Sequence, residues 1–402
     1  MTSTAVASPS PSTLTTEDEL HWLALRMATG LGTRRALQIL QQFRSPKEIF
    51  QASKRDLEAA GLAPSTAQSL VSGCAFEDAI TQQNRLRANG AQLITYFDPR
   101  YPAPLKQIYD PPVTLYAKGR VEILDTVMLA VVGTRRPTAY GLSVTERLST
   151  GLCRAGLTIV SGMARGIDTA AHKATLEAGG NTVAVFGSGL DHIYPSENRK
   201  LAERLFENGL VLSEFPLGTP GYPQNFPVRN RIVAGLSIGV LIVEGAQYSG
   251  SAITARLALD QGRDVYAVPG NITSKASWGP NLLIKQGAKL VQEAGDIIDD
   301  LNGDTRRHID AQRSLFPSNG DGGDSRAAVE WPLQQAQDGP MAELFAILLR
   351  TIPMDVPVSL DGLIERTEGW SSSEIIAVLF DLEMAGAIRQ LPGKQFVKRW
   401  KD

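Results

Sequence analysis

Between residues 127 and 268 the chain alternates six short, wholly apolar runs with amphipathic helical patterns. The apolar runs, rich in Val, Ile and Leu, cover 127–132, 157–160, 182–186, 210–212, 239–243 and 265–268. Helical patterns lie between them, for instance at 144–155, 169–178, 197–207 and 252–261. A strand without polar alternation is buried on both faces, which is typical of a parallel sheet covered by helices. The pattern therefore predicts a doubly wound, Rossmann-like α/β domain over 98–300.

Residues suited to anion binding follow each of the six predicted strands. They are rich in Gly, Ser and Arg and lie at 133–136, 161–168, 187–191, 213–214, 244–251 and 269–271. In open parallel sheets, ligands bind beyond the carboxyl ends of the strands. Glycine lets a ligand approach the backbone closely, and the helices that start there add free N–H donors. Because all six ends meet at one edge of the sheet, the sequence predicts an anion-binding crevice.

The segment 225–237 adds an aromatic ring and two arginines after the fourth strand. It starts as NFPVRNR, a loop that leads into an apolar helix face. Guanidinium groups near a helix start favour phosphate, and a ring beside them can stack on a base. In the alternative interpretation, Phe226 fills the core while Arg229 and Arg231 pair with nearby carboxylates. The segment alone favours this alternative, and the glycine-rich strand ends shift the balance towards ligand binding.

Composition and motifs exclude several classes of function. The formal net charge of −2 is not that of a basic protein, so a nucleic-acid partner needs a local patch. The cysteines, Cys74 and Cys153, form no CxxC pair, which fits a reducing compartment and disfavours a thiolate metal site. The P-loop pattern does not occur, and the GxGxxG pattern that starts at Gly187 lacks its third glycine. We therefore expect neither a metal ion nor a nucleotide cofactor.

The sequence contains no evident catalytic set. His172 lies on a predicted helix face, where solvation or local bonding explains it, and His192 lies in a loop without a nucleophile beside it. Asp168 is predicted to cap the helix that follows it. We expect a protein without covalent chemistry, while the carboxylates near several strand ends leave hydrolysis open as an alternative.

Targeting signals are equally sparse. No apolar run approaches the roughly 20 residues that a membrane span needs. The first sixteen residues, rich in Ser, Thr, Ala and Pro, lack the basic start and apolar block of a secretion signal and predict a disordered tail. We therefore expect a cytoplasmic protein that does not enter the membrane.

A small helical domain is predicted on the amino-terminal side, at 17–92. Gly-containing turns at 30–32 and 61–64 join its helices in pairs. Such pairs resemble helix-hairpin-helix elements, which can present backbone N–H groups to a phosphate. A structural bundle that binds no ligand is an equally good interpretation.

The carboxyl-terminal side divides into a predicted linker at 301–340 and a predicted winged helix at 341–402. Ser371 and Glu374 are placed as the capping box of the third helix of this module. That helix carries acidic residues and no basic one, whereas a helix that enters the major groove brings positive or amide groups. We do not expect it to recognise duplex sequence. Contact of the basic wing with a DNA backbone and docking of a protein partner remain equal alternatives.

Several motifs occur in a fixed order over 98–292, among them GTRRPTAYG, SGMARGIDTAAH, AVFGSGLDHIYPSEN, PQNFPVRNRIVAGLS and VEGAQYSGSAITA. Together they resemble the motifs of the DNA-processing protein A (DprA/Smf) family. The resemblance implies a single-stranded DNA-binding protein of DNA uptake and natural transformation. Such a protein protects incoming strands, loads a RecA-type recombinase and works as a homodimer.

The resemblance also implies which residues contact DNA. A phosphate-facing rim would comprise Arg135, Gly162, Arg165, Gly187, Gly189 and Asp191. A base-contacting pocket would comprise Asn225, Phe226, Arg229, Asn230 and Arg231, with Ser249, Gly250 and Ser251 on its far side. Family members place lysines near the aromatic residue, and 221–225 contains none, so the arginines must supply the positive charge.

Two other classes of function stay open. The predicted fold is similar to that of phosphoribohydrolase-like, nucleotide-processing enzymes, in which a PGGxGT loop precedes a catalytic glutamate. The corresponding loop here, EGAQYSGSAITA, has no glutamate after Gly250. The third class is an adaptor that docks a partner through its carboxyl-terminal module.

Overall fold

The structure is a computed structural model that describes residues 14–247, 249–315, 341–353, 356–367, 369–384 and 387–398. Most of the predicted disordered tail and of the predicted linker lies outside these ranges. Between the described amino-terminal helices and the carboxyl-terminal module stands a large α/β unit.

The amino-terminal region is a bundle of short helices. They are α1 (Thr16–Met27), α2 (Thr33–Gln42), α3 (Pro46–Gln51), α4 (Lys54–Ala59), α5 (Pro64–Val71) and α6 (Ala75–Ala88). Local sequence determines several of the starts: Thr15 accepts a hydrogen bond from the Asp18 N–H, and Ser53 and Asp56 form a capping box. Leu23 and Leu25 of α1 are fully buried, and they anchor a core that continues onto one face of the neighbouring sheet.

Strands and helices alternate through the α/β unit. Its elements are β1 (Gln92–Thr95), α7 (Ala103–Lys106), β2 (Thr114–Gly119), β3 (Met128–Val132), α8 (Ala139–Arg154), β4 (Thr158–Ser161), α9 (Ile167–Glu177), β5 (Thr182–Phe186), α10 (Arg199–Asn208), β6 (Leu210–Ser213), α11 (Asn225–Leu236), β7 (Gly239–Ile242), α12 (Gly250–Asp260), β8 (Asp264–Ala267), α13 (Trp278–Lys285), β9 (Lys289–Leu290), α14 (Ala294–Ile298) and α15 (Gly303–Leu315). Each of the six predicted strands is present. Their side chains are buried on both faces because helices cover both sides of the sheet.

The strand order is β1-β2-β6-β5-β4-β3-β7-β8-β9. From β6 to β9 the neighbours pair in parallel, whereas β1 and β2 add an antiparallel edge. The chain builds outwards from β3 in one direction as far as β6 and then returns to build β7 to β9 on the other side. The order therefore reverses beside β3, where ligands of open α/β sheets bind. The predicted doubly wound, Rossmann-like fold is confirmed.

The prediction of a linker is wrong for its first part, 303–315. Residues 303–315 form helix α15, and its Gln312 is buried against the core. The Gln312 amide accepts a hydrogen bond from the Val127 N–H at 2.8 Å and donates one to the Gly156 carbonyl at 2.7 Å. The segment has few apolar residues, which suggested a linker. Hydrogen bonds to backbone groups that precede β3 and β4 hold it against the core instead.

A winged helix forms the carboxyl-terminal module, as predicted. It comprises α16 (Ala342–Thr351), β10 (Val358–Ser359), α17 (Leu360–Arg366), α18 (Ser372–Met384), β11 (Ile388–Leu391) and β12 (Gln395–Lys398). The capping box at the start of α18 is present, since Ser371 and Glu374 exchange hydrogen bonds.

The basic wing is less available than the sequence suggested. Arg389 contacts both carboxylate oxygens of Glu146 on α8, at 2.9 and 3.0 Å. Lys398 donates to the Leu349 carbonyl. The basic residues of the predicted wing are Arg389, Lys394, Lys398 and Arg399. Arg389 and Lys398 thus bind other parts of the protein, and Arg399 lies outside the described residues.

Candidate nucleic-acid interface

A crevice of about 560 Å³ opens at the carboxyl edge of the sheet, next to the point where the strand order reverses. Its walls come from the loops after β3, β4 and β7 and from the first turns of α11 and α12. The lining includes Gly133, Thr134, Arg135, Arg136, Gly162, Ala164, Asp168, Tyr194, Phe226, Arg229, Asn230, Ser249, Gly250 and Ser251. The glycine-rich ends of β3, β4 and β7 therefore meet in one crevice, as predicted.

The Phe226 ring is half-buried in this crevice, where it contacts the backbone at Gly187, the Tyr194 ring and the Arg135 guanidinium. A Cβ atom added to Gly187 would lie 2.7 Å from the ring, so glycine is required for this approach. Tyr194 packs on the ring with centroids 5.2 Å apart and planes 34° apart. The Arg135 guanidinium stands 5.7 Å from the ring centroid. One aromatic surface and one cation thus share the mouth of the crevice.

Two of the predicted rim arginines are exposed. Arg135 forms no ion pair with any described residue, and neither does its neighbour Arg136. Arg165 contacts Glu197 at 2.6 Å, with 61% of each side chain exposed. Exposed ion pairs contribute little to stability, so Arg165 can exchange this carboxylate for a phosphate at small cost.

Arg229 lies beneath the crevice floor with 4% of its surface exposed. Its Nη1 donates to the carbonyl oxygens of Gly162 and Val185, which end β4 and β5. Burial lowers the pKa of the Arg229 guanidinium to about 10, and the neighbouring Asp168 carboxylate opposes this shift. Arg229 therefore stays charged at neutral pH, but it joins two strand ends and is not a free cation on the surface.

Arg231 does not lie in the crevice, contrary to expectation. Its Nη2 donates to both carboxylate oxygens of Glu214 at 2.8 Å, and its Nε donates to Asp110 at 2.9 Å. This buried pairing is the structural interpretation that the sequence left open for the segment 225–237. The physical reason is helical geometry: positions 229 and 231 lie about 200° apart around the axis of α11.

Five predicted residues besides Arg231 also lie outside the lining of the main crevice. Arg165 and Gly187 adjoin it through their surroundings at Phe226, and the others are Gly189, Asp191 and Asn225. The Gly189 N–H donates to the Thr219 carbonyl, and Asp191 accepts from the Gly218 N–H at 2.8 Å. These contacts brace the long loop that follows β6. Asn225 is buried at the start of α11. Gly189, Asp191 and Asn225 thus support the loop that leads into α11 and the start of that helix, where Phe226 lies, and a direct role in DNA contact stays a prediction.

The far wall of the crevice is formed as predicted by the start of α12. Ser249 caps this helix through the Ala252 N–H, and its hydroxyl lies 2.8 Å from that of Ser251. The Asn230 amide reaches across from α11 towards the Gly250 carbonyl at 3.4 Å. These groups offer hydroxyl and backbone donors to the crevice without adding charge.

The predicted DNA contacts did not include Tyr194 or Arg136, although Arg136 belongs to the strand-end segment 133–136 and both residues line the crevice. Tyr194 occurs directly before Pro195 in a loop after the third predicted strand, and an exposed ring at a strand end is the signal that was available. Asp168 was expected to cap its own helix. Its carboxylate accepts instead from the N–H groups of Gly162 and Ala164 in the preceding loop, at 3.1 and 3.3 Å.

His172 is fully buried, whereas a solvated or locally bonded residue was expected. The Thr182 hydroxyl donates to the Ile159 carbonyl, so it accepts from the His172 Nδ1–H at 2.7 Å. Burial, aided by the positive charge of Arg229, lowers the pKa of His172 to about 3. The imidazole is therefore neutral in the folded protein.

This pKa predicts a loss of stability in mild acid. The unfolded chain binds a proton near pH 6.5, while the folded protein resists it down to about pH 3. The contribution of His172 is therefore complete above pH 6.5 and is lost as the pH falls. Between pH 8 and pH 5.5 the free energy of unfolding should drop by about 1.4 kcal/mol more in the natural protein than in His172→Gln. Urea unfolding at both pH values measures this difference, and equal drops in the two proteins would contradict it.

The doubly wound sheet, its crevice lined by arginine and aromatic residues, and the appended winged helix define a Rossmann-like α/β protein with a candidate ligand site where its strand order reverses. The family model for DNA recombination-mediator protein A matches residues 92–302, and that for the DprA winged helix domain matches 335–394. The chain belongs to the DprA/Smf family of DNA recombination-mediator proteins.

Individual relatives agree with this assignment. The chain is 46% identical to the DNA processing protein DprA of Bacillus subtilis over 54% of its own length and 73% of that protein. It is 31% identical to the protein Smf of Synechocystis over 95% of its length and 99% of that protein. The X-ray structure of DprA from Streptococcus pneumoniae aligns with a TM-score of 0.63 and 35% identity, covering 70% of this chain and 98% of that one. These likenesses support a DNA-processing, recombination-mediator role. In the described ranges no helix has the length and apolar character to cross a bilayer.

Proposed function

We propose that the crevice binds single-stranded DNA with little sequence preference and carries out no covalent chemistry. The observation that supports this most directly is the pairing of Arg135 with the Phe226 ring at the mouth of the crevice. A ring face accepts any unpaired base, and a guanidinium beside it can hold the adjoining phosphate. Other donors in the lining include the Arg136 guanidinium, the Asn230 amide and the hydroxyls of Ser249 and Ser251. Stacking on a ring and contact with phosphates tolerate any base sequence.

Family membership supports a wider role, which we propose as well. We place the chain in the cytoplasm during DNA uptake and natural transformation, where it protects incoming strands and loads a RecA-type recombinase. We further propose that it acts as a homodimer. The division into a helical domain at 17–92, an α/β core at 98–300 and a winged helix at 341–402 belongs to the same proposal. Docking of a partner fits the winged helix better than DNA contact, because Arg389 is occupied by Glu146.

The enzymatic alternative is not favoured by the carboxylates that line or adjoin the crevice. Glu244, which follows β7, accepts hydrogen bonds from the backbone N–H and the hydroxyl of Thr138. It thereby holds the start of α8 against the sheet, where Gly141 lies close to it. Asp168 is bound by two backbone N–H groups. Both groups are engaged in structure, and neither is poised to attack a glycosidic bond.

Replacing Arg135 should weaken the dependence of binding on salt. If its guanidinium contacts one phosphate, Arg135→Ala should reduce the slope of log K against log salt by about 0.7, the value for one contact with a single strand. A labelled oligothymidine titrated at several salt concentrations gives this slope. Arg204→Ala, which removes an exposed arginine of α10 outside the crevice lining, is the matched control.

Two outcomes would count against the crevice. The first is an Arg135→Ala slope equal to that of Arg204→Ala. The second is equal affinity of the natural protein for single and double strands. The same two variants test strand protection, because a strand bound to Arg135→Ala should be digested by nuclease faster than one bound to Arg204→Ala.

A further inference from the structure

Tyr109 is one of the most exposed aromatic residues among those that the structure describes. Its relative exposure is 75%, compared with 51% for Tyr194 and 48% for Tyr222. The guanidinium of Arg34, from the amino-terminal helical domain, lies 4.1 Å from the Tyr109 ring centroid. An exposure this high leaves the ring face opposite Arg34 in solvent. The ring is thus held by a cation and is open to a second planar group.

Strand register brings the segment that follows Tyr109 to the edge of the sheet where the crevice lies. Strand β2 runs antiparallel to β6, and Tyr116 pairs with Ser213 at the carboxyl end of β6. The residues directly before β2 therefore lie beyond that end. Asp110 is held near it, because it accepts from Arg231, which also binds Glu214 directly after β6. Ile108 packs against Gly235 in the last turn of α11, so Tyr109 lies where the segment approaches this edge.

Helix α11 connects Tyr109 to the crevice. Its first turn carries Phe226 to the end of β5, and the next strands along the sheet are β6 and β2. Two spacings of about 4.8 Å separate β5 from β2, and the five residues from Phe226 to Arg231 add about 7.5 Å along α11, so the two rings lie on the order of 15–20 Å apart. A stacked strand that rises about 3.4 Å per nucleotide covers this distance in roughly four to six nucleotides.

The surroundings of Tyr109 are suited to a polyanion. Arg34 and Arg35 begin α2, the first turn of which contains no acidic residue. Within the described part of the chain neither arginine forms an ion pair. The nearest carboxylate in sequence, Asp110, is engaged by Arg231, which it shares with Glu214. The turn at 30–32 that precedes these arginines is one of the two that resembled a helix-hairpin-helix element.

We propose that Tyr109, Arg34 and Arg35 form a second contact point for the strand that occupies the crevice. The strand leaves Phe226, follows the carboxyl edge of the sheet and stacks an unpaired base on the free face of Tyr109. Arg34 and Arg35 hold the phosphates on either side of that base. This inference depends on the proposed function of the crevice, and it assigns a DNA-binding role to the interface between the helical domain and the core.

The test is a length series of oligothymidines, from about two to about twelve nucleotides, titrated against three variants. The affinity of the natural protein should rise steeply once the strand is long enough to reach both rings. Tyr109→Ala should lose that rise, binding long strands roughly five- to 150-fold more weakly while binding the shortest strands normally. Phe226→Ala should weaken binding at every length. Tyr109→Phe, which keeps the ring, should behave like the natural protein.

The outcomes separate the two proposals. If Phe226→Ala weakens binding and Tyr109→Ala binds long strands as tightly as the natural protein does, the second contact point is refuted and the crevice stands. If neither change matters, both proposals are refuted. Phe380→Ala, which removes an exposed ring of the winged helix, controls for non-specific loss of an aromatic surface. A lowered unfolding midpoint of Tyr109→Ala without a change in long-strand binding would mean that the Arg34 contact only joins the two domains.

Discussion

Arg229→Met should lower the free energy of unfolding by roughly 3–5 kcal/mol, measured by denaturant titration without DNA. The buried guanidinium donates to the Gly162 and Val185 carbonyls, and a hydrogen bond to a charged donor contributes about 1.5–3 kcal/mol. Methionine fills similar space but offers no donor. The change also removes the positive charge beside the buried Asp168 carboxylate, whose pKa is raised by burial.

The matched control is Arg135→Met, the same substitution at an exposed arginine of the same crevice. It should change stability by no more than about 0.5 kcal/mol, because surface substitutions away from specific contacts have small effects. Equal stability of the two variants would show that Arg229 does not join β4 and β5 as the structure indicates. Any loss of DNA binding in Arg229→Met then has to be interpreted through the shape of the crevice floor, since this arginine is not a free phosphate contact.

Phe226→Ala should weaken the binding of a single strand by about 1–3 kcal/mol, which is roughly five- to 150-fold in Kd. The ring lies against Gly187 on one side and Tyr194 on another, and the rest of it faces the crevice. The substitution removes a stacking surface and no charge. The slope of affinity against salt should therefore stay that of the natural protein, in contrast to Arg135→Ala.

Phe206→Ala is the matched control, because Phe206 is also half-buried but lies on α10, outside the crevice lining. Both variants lose apolar packing, and only Phe226→Ala should lose affinity for the strand. Fluorescence anisotropy with a labelled oligonucleotide measures this, with the unfolding midpoints recorded for both proteins. If the two variants bind equally well, Phe226 serves the core alone, which is the alternative that its sequence segment left open.

The four arginines of the crevice region should respond differently to substitution, because each lies in a different environment. Arg135 is exposed at the mouth, Arg165 is exposed beside a carboxylate, Arg229 is buried in the floor, and Arg231 is buried behind α11. Of these four arginines only Arg135 and Arg165 are exposed. Under the proposed function, affinity for DNA should depend on a few exposed cations and on stacking, so single substitutions should have measurable effects.

The sequence alone determined the doubly wound sheet and the edge where the crevice lies. Wholly apolar strands that alternate with helices admit few other arrangements, and the carboxyl ends of parallel strands meet whatever the rest of the chain does. The edge strands β1, β2 and β9 were not predicted, because they are short and are specified mainly by their pairing partners. The helix at 303–315 was missed for a related reason, since the hydrogen bonds of Gln312 to the core are long-range.

Only the tertiary structure decided which side chains of the segment 225–231 face the crevice. The sequence indicated a loop there, in which both arginines were free to point at a ligand. The helix begins instead at Asn225, so a rotation of about 100° per residue sends Arg229 beneath the floor and Arg231 to the opposite side. A carboxylate 17 positions away in the chain, Glu214, then neutralises Arg231. Local sequence specifies that a helix can form, but contacts between distant segments decide where it starts and what each face meets.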